Sequence, residues 1–366
     1  DLIREDTAPY VDQILQISRA LLRARETVDI KEFQGSFPLA PVLNLFTPAM
    51  LATASDLQLR HDAEKNEKRQ FAAALELLRE HRGYNFQVRN ERQKDVFFDE
   101  GRLVPHPLFR VRAMELELAT ECISSLSAAD LSVTLRLPND VNRTSGAARQ
   151  FAIHYRSNEN RSRKRLLAFR EGQNRLKDAV PEQLLQLIKE TPGDIRIVSD
   201  AHLEWLNING LPLSISRTAS RIPVTPGNLF VELITGAPFL RLMPDAFKKV
   251  LVISALKRDD PIQGLFEKAF AAFEKDWKDN LEVKFVEVGN EAQLIAALDD
   301  FDGAMAIFDG HGSHAQDEPA VLHLQNEQCD VWSLQRKVRV PPIIFLSACD
   351  THAADRNHAT TANGFL

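Results

Sequence analysis

Two short stretches of this chain carry residues able to do covalent chemistry. The apolar run Ala304-Met305-Ala306-Ile307-Phe308 leads into Asp309-Gly310-His311-Gly312-Ser313-His314, and Ile343-Ile344-Phe345-Leu346 leads into Ser347-Ala348-Cys349-Asp350-Thr351. A thiol attacks a carbonyl as its thiolate, and a nearby imidazole is the usual acceptor of that proton near neutral pH. If the two apolar runs are neighbouring parallel strands, about 4.8 Å apart, His311 and Cys349 stand just past their ends and reach one substrate bond. Open parallel sheets gather functional residues beyond the carboxyl ends of their strands. Gly312 lets the backbone approach a substrate closely, and its N–H beside that of Cys349 would make an oxyanion hole. A helix starting after Cys349 would favour the thiolate further. Asp309, Ser347 and Asp350 flank the two reactive residues and are candidates for the wall of a substrate pocket. Asp350 also suits the cap of a following helix, where an aspartate is favoured.

The elements around these stretches must supply such a sheet. Val250-Leu251-Val252-Ile253 reads as a buried strand, residues 263 to 278 as a helix, Leu281 to Val288 as a strand, and Leu294 to Leu298 as part of a second helix. Phe266, Phe270, Phe273 and Trp277 recur at helical spacing, which predicts core packing. A hairpin strand at Val321 to Leu324 and a further helix precede Pro341-Pro342. Strands apolar on both faces, alternating with helices, predict a parallel sheet covered on both sides.

The rest of the chain carries less chemistry. Val11, Ile14, Leu15, Ser18, Leu21 and Leu22 share one helical face, as do Phe71, Leu75 and Leu78; Pro38, Pro41 and Pro48 separate the two helices. From about Asn85, Phe86-Gln87-Val88, Val96-Phe97-Phe98 and Leu131 to Leu135 read as short strands, with Asp99-Glu100-Gly101 as a turn. The basic residues Arg161, Arg163, Lys164 and Arg165 read as a solvated loop or helix start. A helix over Glu182 to Lys189, a strand at Ile195 to Val198 and a loop at Pro223, Pro226 and Gly227 follow. The expected division is a helical region 1–84 of unassigned role, an α+β part 85–240 and a core 241–366.

Composition narrows the classes. The net charge of −6 gives no reason to expect nucleic-acid binding. No apolar run reaches the roughly 18 residues of a membrane span, and Asp1-Leu2-Ile3-Arg4 lacks the layout of a secretion signal. Cys122, Cys329 and Cys349 form neither a disulfide framework nor a CxxC metal site, so a reducing cytoplasm is the expected location. Cys122 and Cys329 read as small packing residues.

A strand followed by His-Gly, then a strand followed by Ser-Ala-Cys-acidic-Thr, resembles the CHAT proteases, relatives of caspases, separases and metacaspases. Ile195 to Pro226 is similar to the segment that precedes their catalytic half, so the resemblance covers about 190–366. It implies an α/β fold: a caspase-like, mainly parallel sheet with flanking helices, here preceded by a mostly helical region. It implies a cysteine endopeptidase with Cys349 as nucleophile, His311 as general base, Gly312 and Cys349 as oxyanion donors, and no metal or cofactor. The partners implied are a protein substrate and an activating sensor domain or partner protein, in bacterial signalling or anti-phage defence. Three positions depart from the family pattern. His352 stands where a Gly often follows the acidic-Thr pair. Ser347 stands where arginine-specific relatives carry Asp, so a preference for a basic residue before the cut is not implied. The chain ends at Asn363-Gly364-Phe365-Leu366, where family members continue into further strands.

Other readings compete. A catalytically silent CHAT-like binding or regulatory module has the same sequence pattern. Asp309-Gly310-His311-Gly312 also matches the metal-binding motif of metal-dependent Ser/Thr phosphatases, but the later aspartates Asp317, Asp330, Asp350 and Asp355 lack the settings a two-metal site needs. A zinc site drawn from His311, His314, His323, Cys349 or His352 lacks paired short spacings. His314, His352 and His358 read as cap or surface residues.

Overall fold

The computed structural model describes residues 7–27, 42–49, 64–86, 88, 90–99, 102–103, 105–129, 131–156, 162–225, 242–314, 318–334, 337–349, 351 and 360–365. The chain forms two compact units, Asp1–Ile234 and Thr235–Leu366. Each is mixed α/β and is built on a four-stranded parallel sheet. Residue 85 lies within the first of these units and residue 241 within the second.

In the first unit the strands are β1 (Leu43–Phe46), the short hairpin β2 (Phe98–Asp99) and β3 (Arg102–Leu103), β4 (Val133–Arg136), β5 (Ile195–Val198), the hairpin β6 (Asn207–Ile208) and β7 (Leu211–Pro212), and β8 (Ala219–Ile222). The sheet order is β4-β1-β5-β8. The expected helices are present at Ala8–Thr27, Lys65–Glu80 and Glu182–Glu190. The region between the first two is not a mere spacer. Leu43-Asn44-Leu45-Phe46 is short, bracketed in sequence by Pro41 and Pro48, and wholly buried as an inner strand. Leu43 and Leu45 pack with Val11 and Leu15 of the first helix and with Leu184 and Ile188 of the third. Phe46 faces the other way, toward Ile123 of the helix Pro107–Ala129. Helices thus cover both faces, as a parallel sheet with apolar residues on both sides requires.

The stretch after Asn85 corrects two sequence expectations. Phe86 follows a bend without joining a strand, and Val96 and Phe97 form a turn after the short helix Glu91–Lys94; of these residues Phe98 alone is in a strand, Phe98–Asp99. Gln87, Glu100 and Gly101 lie outside the described residues. The aromatics serve a local cluster: Phe86 and Phe97 meet Phe109 at centroid distances of 4.7 and 4.5 Å, over Ala73, Ala74 and Leu77. The helix Pro107–Ala129, 23 residues long, was not expected at all. Lys164 and Arg165 begin the helix Ser162–Ala179; Arg161, Pro226 and Gly227 lie outside the described residues.

In the second unit the strands are β9 (Lys249–Ser254), β10 (Glu282–Glu287), β11 (Met305–Asp309), β12 (His311–Ser313), β13 (Val321–His323), β14 (Gln328–Asp330) and β15 (Ile343–Ser347). The parallel sheet runs β10-β9-β11-β15, and β12-β13-β14 form a small antiparallel sheet. β9 is buried along Val250–Ile253, between neighbours on both sides. The helix Glu291–Asp299 packs Leu294 and Leu298 against Leu251, Ile253, Ala306 and Phe308. Two expectations fail here. Among the described residues before Pro341-Pro342 the expected helix is replaced by a 3-10 turn, Val331–Leu334. The aromatic stripe at 266–277 is not core: the helix Leu265–Ala272 breaks at Phe273, which is 62% exposed, and none of its residues is buried. Phe270 instead meets Trp277 and Phe285, at 5.6 and 5.7 Å, beside the edge strand β10, which leaves this helix only one flank to pack on.

The two sheets share one topology. Taken in chain order, the strands of each stand 2-1-3-4 across the sheet, and in each a short antiparallel piece follows the third strand. The third strand also leads into similar residues, Asp200-Ala201-His202 in the first unit and Asp309-Gly310-His311 in the second.

Candidate active site

β11 and β15 are hydrogen-bonded parallel neighbours whose last register pair is Asp309 with Ser347. His311 lies two residues beyond Asp309 and Cys349 two residues beyond Ser347, so both leave the same edge of the sheet at the same level. The chains stay joined past the last rung, since Gly310 N–H donates to the Ser347 carbonyl at 3.2 Å. Gly312 then passes against Cys349 itself. A Cβ at Gly312 would stand 2.5 Å from the Cys349 carbonyl oxygen, closer than side-chain carbons approach backbone. The glycine is needed for this approach and not for its φ, which is outside the left-handed region. Both reactive side chains are open to solvent: Cys349 is exposed, and the His311 side chain is 50% exposed.

His311 has a partner that the sequence reading missed. Its Nε2 lies 2.7 Å from Oδ2 of Asp260, whose side chain is 16% exposed. Asp260 belongs to the loop after β9, the strand on the other side of β11. Three adjacent strands therefore each deliver one residue to the same edge: Asp260, His311 and Cys349. A faint signal existed, because Asp259-Asp260-Pro261 also follows an apolar run, Val250–Ile253, although at a longer spacing than His311 and Cys349 follow theirs. The loop holds Asp260 firmly, with Oδ1 accepting the Ile262 N–H at 3.0 Å. The hydrogen bond from His311, then that from Ile262, keep the Asp260 carboxyl below the usual carboxylate range. An ionised carboxylate can only accept, so the hydrogen of this pair sits on Nε2 and leaves Nδ1 as the imidazole's basic nitrogen.

The remaining candidates take different places. Asp309 is only 5% exposed, and burial, followed by the charge of Asp260, pushes its carboxyl upward. Its carboxyl is thus largely withdrawn from solvent. Ser347 is exposed on the edge strand β15. Asp350, and with it the helix expected after Cys349, lies outside the described residues, as do Asp317, His352, Asp355 and His358. His314, expected at the surface, is buried at 7% exposure. His323 donates or accepts at Ser313 Oγ, 2.8 Å away, opposite His311 in the β12-β13 register. Among the described residues no group of three or more His, Cys, Asp or Glu side chains is arranged to hold a metal ion. Cys329 is fully buried, and burial pushes its thiol up to about 12, which makes it inert beside the exposed Cys349.

The corresponding end of the first unit's sheet is closed. Thr47, Asn142 and Ser199 are buried there and satisfy one another, with Thr47 Oγ1 at 2.9 Å from Asn142 Oδ1 and 2.5 Å from Ser199 Oγ. His202 is stacked on Trp205 and bonded to Glu204, which also pairs with Arg221. The residues after β8 are Pro223-Val224-Thr225, with no thiol. Among the described residues no helix is long and apolar enough to cross a membrane. No protein-family model, curated protein or solved structure matches this chain.

Proposed function

We propose that the second unit is a cysteine endopeptidase of the caspase-like, CHAT type, working through an acyl-enzyme on Cys349. One observation carries the reading: an exposed thiol and an imidazole leave hydrogen-bonded parallel strands at the same level, with the imidazole oriented from behind by a carboxylate. His311 Nδ1 takes the thiol proton, the thiolate adds to the scissile carbonyl, and the N–H groups of Gly312 and Cys349 stabilise the oxyanion. The imidazolium, its charge offset by Asp260, then protonates the leaving nitrogen; water attacks the thioester by the reverse route and frees Cys349. The exposed cysteine fits a reducing compartment, where the thiol stays free. A protein substrate, and control by a sensor domain or partner in signalling or anti-phage defence, belong to the same proposal through the family resemblance. The rival metal-dependent phosphatase reading needs the Asp309 carboxylate on a metal beside further ligands, and among the described residues no group of three or more His, Cys, Asp or Glu is arranged to supply them.

The test compares wild type, Cys349→Ala and His311→Ala by mass spectrometry of cleavage products in a mixed protein substrate pool. Both variants should stay folded and lose cleavage. Wild-type cleavage should survive EDTA and end on alkylation of the exposed thiol. Undiminished proteolysis by Cys349→Ala would sink the assignment. Loss on EDTA with resistance to alkylation would transfer the function to a metal site.

A further inference from the structure

A cleft of about 420 Å³ opens on the β9 side of His311. Its walls are the loop after β9, including Lys257 and Asp260, and the turn between β13 and β14, including Glu327 and Gln328, and His311 and His323 also line it. Cys349 is not part of its lining. The walls are tied together: Gln325 Nε2 donates to the Leu256 carbonyl at 3.0 Å, and Asn326 N–H donates to the Gly289 carbonyl at 3.0 Å. The cleft is therefore built into the fold before any ligand arrives, and its size is within the ordinary range for ligand sites.

Its position relative to the reacting atoms decides what enters it. In thiol attack on a peptide bond, the acyl half becomes bonded to sulfur and the amine half departs with a proton from the imidazole. The departing half must therefore pass His311. A cleft that touches His311 and not Cys349 adjoins the departing half. We propose that this cleft receives the side chain immediately on the carboxyl side of the scissile bond, and that it selects a neutral polar or basic side chain over an apolar or acidic one. The chemistry of the walls sets the class: only Ala255 and Leu324 are aliphatic, and carboxylates outnumber ammonium groups by two, Asp260 and Glu327, to one, Lys257. Amide groups at Gln325, Asn326 and Gln328 supply both donors and acceptors. An apolar side chain here would strip water from those groups without replacing its hydrogen bonds. Asp260 is engaged by His311, and Glu327 accepts the Glu291 N–H through Oε1, so Oε2 of Glu327 is the carboxylate oxygen that favours a cation.

This specificity rests on the endopeptidase reading, and two measurements separate the two. The first is binding to the full-length Cys349→Ala protein of short peptides with a free amino terminus, the chemistry of the departing half, beginning with Lys, Gln, Leu or Asp. Lys- and Gln-led peptides should shift the side-chain amide resonances of Gln325, Asn326 and Gln328, and bind about tenfold more tightly than Leu- or Asp-led ones. Glu327→Gln should remove most of the advantage of Lys over Gln, about threefold, and leave Gln binding unchanged. The second is wild-type cleavage of substrates differing only at the residue after the cut, which should rank in the same order. Equal binding by all four peptides, or shifts confined to other amides, overturns the cleft assignment even if cleavage occurs. Selective binding at these amides with no peptide cleaved by wild type leaves the cleft in place and overturns the endopeptidase reading.

Discussion

Replacing Gly312 by Ala tests the geometry of the site with a single methyl group. The added Cβ would lie 2.5 Å from the Cys349 carbonyl oxygen, whereas an ordinary contact begins near 3.4 Å. Backbone must therefore give way by close to 1 Å, because the obstacle is a carbonyl and not the end of a flexible side chain. Overpacking of this kind costs about 1–3 kcal/mol. For a unit of this size that lowers the melting midpoint by roughly 3–12 °C. The displaced segment carries the nucleophile on one side and adjoins the imidazole on the other. A misplacement of about 1 Å can cost on the order of 100-fold in rate. The assay pairs thermal unfolding with the rate of alkylation of Cys349 by iodoacetamide, which needs no knowledge of the substrate, and with peptide cleavage. The control is Ser313→Ala, one residue away, which removes the hydrogen bond with His323 and should cost about 0.5–1.5 kcal/mol with cleavage largely kept. A Gly312→Ala protein that melts within a degree of wild type and alkylates and cleaves at the wild-type rate would refute the close approach of Gly312 to Cys349, and with it the shared level of the two reactive residues.

Asp260→Asn keeps an acceptor for Nε2 but removes the charge that offsets the imidazolium, so cleavage and Cys349 alkylation at pH 7 should both slow several-fold, with thermal stability nearly unchanged. Equal rates for the two proteins would remove Asp260 from the site. In the first unit, burial, followed by the charges of Arg112 and Arg136, holds His81 down to about 3, against 6.5 in an unfolded chain. The unfolded chain alone binds a proton between those values, so stability present above pH 6.5 is lost on acidification, by about 2 kcal/mol between pH 7 and pH 5. Denaturant unfolding of wild type and His81→Gln at both pH values should show this dependence diminished in the variant, and parallel losses would contradict it.

Much of the second unit was legible in the sequence because its strands are continuous apolar runs ending abruptly in polar residues. The runs at Val250, Leu281, Ala304 and Ile343 each became a strand of the parallel sheet, and chain order alone put His311 and Cys349 at strand ends. Helical periodicity likewise sufficed for Ala8–Thr27, Lys65–Glu80 and Glu182–Glu190, whose apolar faces repeat over several turns. Short or aromatic-rich segments were not legible. Leu43–Phe46 offers four residues between prolines, too few to show a period, and Phe86, Phe97 and Phe109 suit a strand, a turn or a helix equally well by type.

What composition and spacing determined was the inventory of the site: a free thiol, an imidazole, and the strands that carry them. Only the tertiary structure decided that β11 and β15 are neighbours in register, because strand order depends on which helices cover which face and leaves no local trace in sequence. It also decided that Asp260, 51 residues before His311, is the imidazole's partner, and that Asp309, two residues before it, is not. The reason is geometric. Asp309 closes β11 with its side chain buried, while residues distant in the chain meet beyond the ends of adjacent strands.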